Sequence, residues 1–140
     1  MAGYSGTPLL KKLGIKDGHR VLLCKAPADL PEELSGYRGS KLSKDLDVTV
    51  LFATSLAGFQ SDFARAAKSI KPDGMIWAAW PKKSSGVRTD LTENVVREHI
   101  LKTAFVDVKV CAITETWSGL KLVVRKEHRG SFAAQSNQGN

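Results

Sequence analysis

The densest grouping of chemistry-bearing side chains lies between Trp80 and Asp90, where the chain reads Lys82-Lys-Ser-Ser-Gly86 with Arg88 two residues on. Two ammoniums, two hydroxyls, a guanidinium and a glycine that frees the backbone to turn are the parts of an anion site. Asp90, with Glu93 three residues later, has the spacing of a capping box. The loop is therefore expected to run into a helix whose first amides and dipole also attract anions. Lys82, Lys83, Ser84, Ser85, Gly86 and Arg88 are the candidate ligand-binding residues, for a phosphate or a carboxylate. The same residue types also suit an ordinary solvated loop. A second grouping, Glu115-Thr116-Trp117, falls in the short link between two apolar runs and is the expected rim of the same site. Trp117 either stacks on a base or anchors a partner from an exposed turn, or it folds back over the core. Glu115 either serves as an acid or base or pairs with Lys82 or Lys121, and the pairing is the simpler reading.

Other reactive side chains form no constellation. His19, His99 and His128 fall in a turn, a helix and the tail, with neither metal spacing nor a dyad. Ser55 and Ser118 lie outside any Gly-x-Ser-x-Gly turn and have no identifiable base, so both read as turn formers. Cys24 and Cys111 each interrupt an apolar run and are expected as buried free thiols rather than a disulfide. No catalytic residue, metal or cofactor is assigned.

These residues must be held by a chain of 140 residues, 42% hydrophobic and 25% charged, which is the usual size and make-up of one domain. Residues 1–126 are expected to form it, and residues 127–140, rich in Gly, Ser, Gln and Asn, a disordered tail. No run approaches the roughly 20 apolar residues that span a bilayer, and the N-terminus lacks a signal-peptide pattern. A cytoplasmic protein without a membrane partner is the expectation. The net charge of +7 favours anionic partners, nucleic acid among them, but a solvated cationic surface gives the same balance.

The hydropathy pattern supplies the scaffold. Thr7, Pro8 and Gly14 bracket a short helix with Leu9, Leu10 and Leu13 on one face. Residues 20–24 read as a first strand; residues 25–46 as a crossover with one or two helical turns after Pro31 and a small extra strand within 37–44. Residues 47–53 and 75–80 are near-continuous apolar runs, as expected of strands covered on both faces. Phe59, Phe63, Ala66, Ala67 and Ile70 share a helical face between them, and Lys71-Pro-Asp-Gly74 reads as the turn that follows. Leu91, Val95, Val96 and Ile100 mark a second helix, and residues 106–113 and 120–125 an antiparallel hairpin. The expected fold is α/β: a three-layer Rossmann-like domain, with a mostly parallel sheet of about five strands that ends in an antiparallel hairpin strand.

This order of elements, with Leu13-Gly-Ile-Lys-Asp-Gly-His-Arg-Val-Leu-Leu23 leading into the first strand and Lys71-Pro-Asp-Gly-Met-Ile-Trp77 into the third, resembles the finish of a class I methyltransferase domain. A closer resemblance rests on Gly3-Tyr-Ser-Gly-Thr-Pro-Leu9, Trp80-Pro-Lys-Lys-Ser-Ser-Gly86, Thr89-Asp-Leu-Thr-Glu93, Val106–Ile113 and Glu115-Thr-Trp-Ser-Gly-Leu-Lys121. These blocks are similar to those of an uncharacterised bacterial family of unknown function. The resemblance implies a bacterial, cytosolic protein and no particular chemistry. Members of that family often have Gly-Ala-Pro where this chain has Lys25-Ala-Pro27.

In a doubly wound sheet, ligands bind beyond the carboxyl ends of the parallel strands. A methyltransferase needs glycines after the first strand so that the backbone can approach its cofactor. From Val21 to Ser35 there is none. The leading expectation is a binding module, without evident catalytic machinery, for an anionic small molecule, a nucleotide or a protein partner. The alternatives are an S-adenosylmethionine-dependent methyltransferase with a degenerate cofactor site and a non-specific nucleic-acid-binding protein. A homodimer through the hairpin edge is also open.

Overall fold

The two longest apolar runs become the centre of the sheet. A computed structural model describes residues 8–130, so Thr7 and residues 131–140 of the expected tail lie outside the described residues. The elements are α1 (Leu9–Leu13), β1 (Val21–Cys24), α2 (Glu32–Ser35), β2 (Leu46–Phe52), α3 (Leu56–Ser69), β3 (Ile70–Pro81), α4 (Glu93–Ile100), β4 (Phe105–Ala112) and β5 (Trp117–Val124). The sheet order is β1-β2-β3-β5-β4. β1, β2 and β3 pair in parallel. β5 pairs antiparallel with both β3 and β4, so it alone runs against the others.

Successive residues of the central strands feed two core clusters, as the two-residue period of a strand requires. One gathers Phe59, Phe63 and Ala66 of α3 and Val96 and Ile100 of α4 against Leu51, Ile76, Ala78, Leu120 and Leu122. The other gathers Leu9 and Leu13 of α1 and Leu34 of α2 against Val50, Phe52, Trp77, Ala79 and Trp117. Burying Phe59 and Phe63 contributes roughly 2–3 kcal/mol each. Trp77 is fully enclosed, and its indole N–H donates to Leu13 O at 2.9 Å, which ties the end of α1 to the sheet.

Several local expectations are corrected. Lys71–Gly74 is not a free turn: β3 starts at Ile70, opposite Leu46, and passes the start of β2 through an irregular register. Gly74 permits that passage, because a Cβ there would lie 2.8 Å from Ile70 Cγ1 and 2.9 Å from Leu46 O. Residues 37–44 form no strand, and the crossover carries only the single turn of α2. Pro8 is the N-cap of α1 rather than its first residue, while Gly14 ends the helix in the left-handed conformation. Beyond β5, residues Lys126–His128 form a 3-10 turn where a disordered tail was expected to begin, and Arg129 Nε anchors it to Val124 O at 3.2 Å. No helix among the described residues is long and apolar enough to cross a membrane.

Candidate functional site

The carboxyl ends of β2 and β3, the last residues of β4 and the first of β5 meet at one edge of the sheet. Lys82 N donates to Thr116 O at 2.8 Å, so the lysine-serine loop and the hairpin turn are joined directly. Beside that bond lies a cleft of about 350 Å³, lined by Lys12, Asp29 to Pro31, Lys82 and residues 112–116. Thr114 Oγ1 accepts from the amides of Thr116 and Trp117 at 3.1 and 3.0 Å, which holds the turn open over the cleft. No ion pair involves Lys12, Asp29, Lys82 or Glu115 among the described residues. The cleft thus presents ammoniums and carboxylates that have no ion-pair partner among the described residues.

Of the residues singled out in the sequence, Lys82, Glu115 and Thr116 line this cleft, and Lys83, Ser84, Ser85, Gly86 and Arg88 do not. Lys83–Ser85 form a 3-10 turn closed by Gly86 at a left-handed φ of 77°. The Ser85 hydroxyl donates to Lys82 O at 2.6 Å and accepts from Val87 N at 3.1 Å, so it stabilises its own loop. Nor does the loop run straight into a helix. Thr89 Oγ1 donates to Thr54 O at 2.6 Å, turning the chain back over the end of β2. Asp90 then accepts from Leu56 N at 2.8 Å, the first amide of α3, and Thr92 rather than Asp90 caps α4 by accepting from Val95 N. The expected capping box is corrected accordingly: both helix starts already hold an oxygen acceptor.

Trp117 opens β5 instead of projecting from a turn, and it is buried edge-on against Phe52 with ring centroids 5.3 Å apart. Of the two readings given to it, the core residue is the one observed. Glu115 pairs with neither Lys82 nor Lys121. Sequence reasoning missed Lys12 and Asp29. Lys12 lies in a helix read only for its apolar face, and Asp29 in the crossover that carried no periodic signal.

The end of β1 is built differently. Lys25 takes a left-handed φ of 58°, a conformation that glycine adopts freely and lysine does not. Its ammonium lies 3.0 Å from Asp62 Oδ2 of α3, and Arg65 holds the other oxygen. Burial pushes the Asp62 carboxyl up, but these two cations outweigh it and hold the group below the usual carboxylate range. The neighbouring Cys24 thiol is pushed up by burial and by Asp62, and Cys111 by burial, so neither is primed as a nucleophile; both cysteines are free. No group of three metal-ligating side chains occurs among the described residues.

The site and fold define a mixed α/β protein with a ligand-sized cleft at the carboxyl edge of its sheet. No family model matches the chain, and no curated protein matches it. Among solved structures it is similar to the PH0226 protein from Pyrococcus horikoshii OT3, with a TM-score of 0.46 and 12% identity over 84% of this chain and 75% of that one. A likeness of that size is not evidence of shared activity.

Proposed function

We propose that this protein is a small binding module that holds a compact anionic molecule, a carboxylate or a phosphate, in the cleft beside Lys82. The observation that carries the reading is the pair of ammoniums, Lys12 and Lys82, on a cleft of about 350 Å³ without carboxylate partners. That volume is at the small end of ligand pockets. Asp29 and Glu115 in the same lining oppose a long polyanion and favour a short ligand that lies against the lysines. The division of the core into two clusters supports the three-layer, Rossmann-like reading of the scaffold, in which this edge is the usual place for a ligand.

Titration with inorganic phosphate and a panel of small carboxylates, followed by backbone amide shifts, tests the reading. The expected response is at Lys82, Glu115 and Thr116, and Lys82→Ala weakens binding about tenfold or more, the worth of one charge-assisted hydrogen bond. Shifts confined to other regions, or none across the panel, overturn it. The S-adenosylmethionine reading has less support, since Lys25 and Asp62 meet where its cofactor would approach the chain. Calorimetric heat with that cofactor or its demethylated product would replace the binding-module reading with it.

A further inference from the structure

The side of the β4–β5 hairpin that faces α1 carries two lysines the cleft does not use. Lys109 and Lys121 stand directly opposite one another across the hairpin. Lys121 is also the register partner of Trp77, whose indole is bonded to α1, so the pair lies on the α1 side. Cys111 and Gly119 are the next pair on that side. Lys12 reaches over from α1, and its ammonium donates to Ala112 O at 3.3 Å. Ala112 follows Cys111, two residues along β4 from Lys109, so the three lysines gather on one stretch of the hairpin.

No carboxylate forms an ion pair with Lys12, Lys109 or Lys121 among the described residues. Asp107, the acid of β4, is opposite Leu122 on the other face of the hairpin and is held by Arg97 at 3.0 Å. Like charges directly opposite in a strand pair are destabilising. Burial, with Lys109 adding to it, draws the Lys121 ammonium below its ordinary value.

Among the described residues, strand register places no well-exposed large apolar side chain on this patch. The exposed large apolar side chains among the described residues are Val87, Leu101, Val108 and Val110. Val110 is opposite Leu120, on the α3 and α4 side, and Val108 is the bulged residue between Asp107 and Lys109. A protein partner draws its affinity from a desolvated apolar or aromatic centre, whereas a phosphate backbone needs only cations. Single-stranded nucleic acid adds stacking on aromatic rings, and no exposed aromatic ring occurs among the described residues' large hydrophobics.

We infer that this face docks the phosphodiester backbone of duplex nucleic acid through Lys12, Lys109 and Lys121, without reading bases. Lys12 is shared with the cleft, but Lys109 and Lys121 do not line it, so their variants read this face separately from the cleft. Each phosphate neutralised lowers the logarithm of affinity by about 0.9 per tenfold rise in salt. Three contacts give a slope of about −2.7.

Anisotropy of a labelled DNA duplex with the full-length protein, measured across salt concentrations, tests it. The expected slope is about −2.7, and the paired Lys109→Gln and Lys121→Gln variant reduces its magnitude by about 1.8. The paired Lys41→Gln and Lys44→Gln variant, equal in charge and exposed in the crossover, leaves the slope unchanged. Equal losses in the two variants would mean that net charge alone binds the duplex, and would overturn the assignment. So would binding indifferent to salt, no binding at about 50 mM salt, or preference for an acidic peptide over the duplex.

Discussion

At the scale of single residues, Lys25 holds two opposing effects at once. Its left-handed backbone costs a non-glycine residue about 1–2 kcal/mol, and its ammonium lies 3.0 Å from the enclosed carboxylate of Asp62. Lys25→Ala and Lys25→Gly both remove the ion pair, but only glycine also sheds the backbone strain. The glycine variant is therefore expected to be about 1 kcal/mol more stable than the alanine variant in urea unfolding. Equal stabilities would show that the turn does not keep its left-handed shape. The sequence shows that the first βα turn lacks glycine. It does not show that the turn retains the conformation glycine would have taken, because that depends on Asp62, 37 positions further along the chain.

At the scale of elements, most of what the sequence exposes is periodicity, and most of what it hides is the choice of partner. β2 and the helix containing Phe59 and Phe63 are legible because their apolar residues repeat at the right period. The caps are not, because Asp90 and Thr92 are both acceptable oxygens before α4. Only the return of residues 87–91 across β2, fixed by Thr89 on Thr54 O, sends Asp90 to α3 and leaves Thr92 to α4. Hydrogen exchange separates the two roles. Asp90→Ala is expected to speed exchange at Leu56 and not at Val95, and Thr92→Ala the reverse, each costing about 1 kcal/mol of stability. Trp117 was ambiguous for the same reason. A tryptophan beside Gly119 reads as a turn until pairing with Pro81 and contact with Phe52 extend β5 to include it. The candidate site was half legible: Lys82, Glu115 and Thr116 were in view, whereas Lys12 and Asp29 arrive from elements whose placement no local pattern records.

At the scale of the whole molecule, acid is expected to lower the stability of the protein over two separate pH ranges. Burial, with Lys102 adding to it, pushes His99 below its ordinary value; its ring packs edge-on to Phe59 and Phe63, so the neutral form is the folded form. Its contribution is complete above about pH 6.5 and is lost as pH falls through the lowered value. Asp47 and Asp62 are pushed up by burial but brought below the usual range by their partners, Arg20 N and Lys71 for Asp47, Lys25 and Arg65 for Asp62. Their contribution is complete above about pH 4 and is lost below it. Urea midpoints are expected to hold steady from neutral pH upward, fall once below about pH 6.5 and again below about pH 4. His99→Gln should flatten the first step, and Asp47→Asn with Asp62→Asn the second. A midpoint indifferent to pH between 7 and about 3 would contradict these assignments.

The bond from the Trp77 indole to the last carbonyl of α1 has an optical consequence. Emission from that ring depends on whether the first helix is seated on the sheet. Lifting the helix would wet a fully enclosed chromophore before the strands separate. The protein thus contains its own gauge of partial opening at the face where Lys12 stands. In a form stripped of its other two tryptophans, a red shift that precedes global unfolding would mark the moment the basic face loses its third lysine.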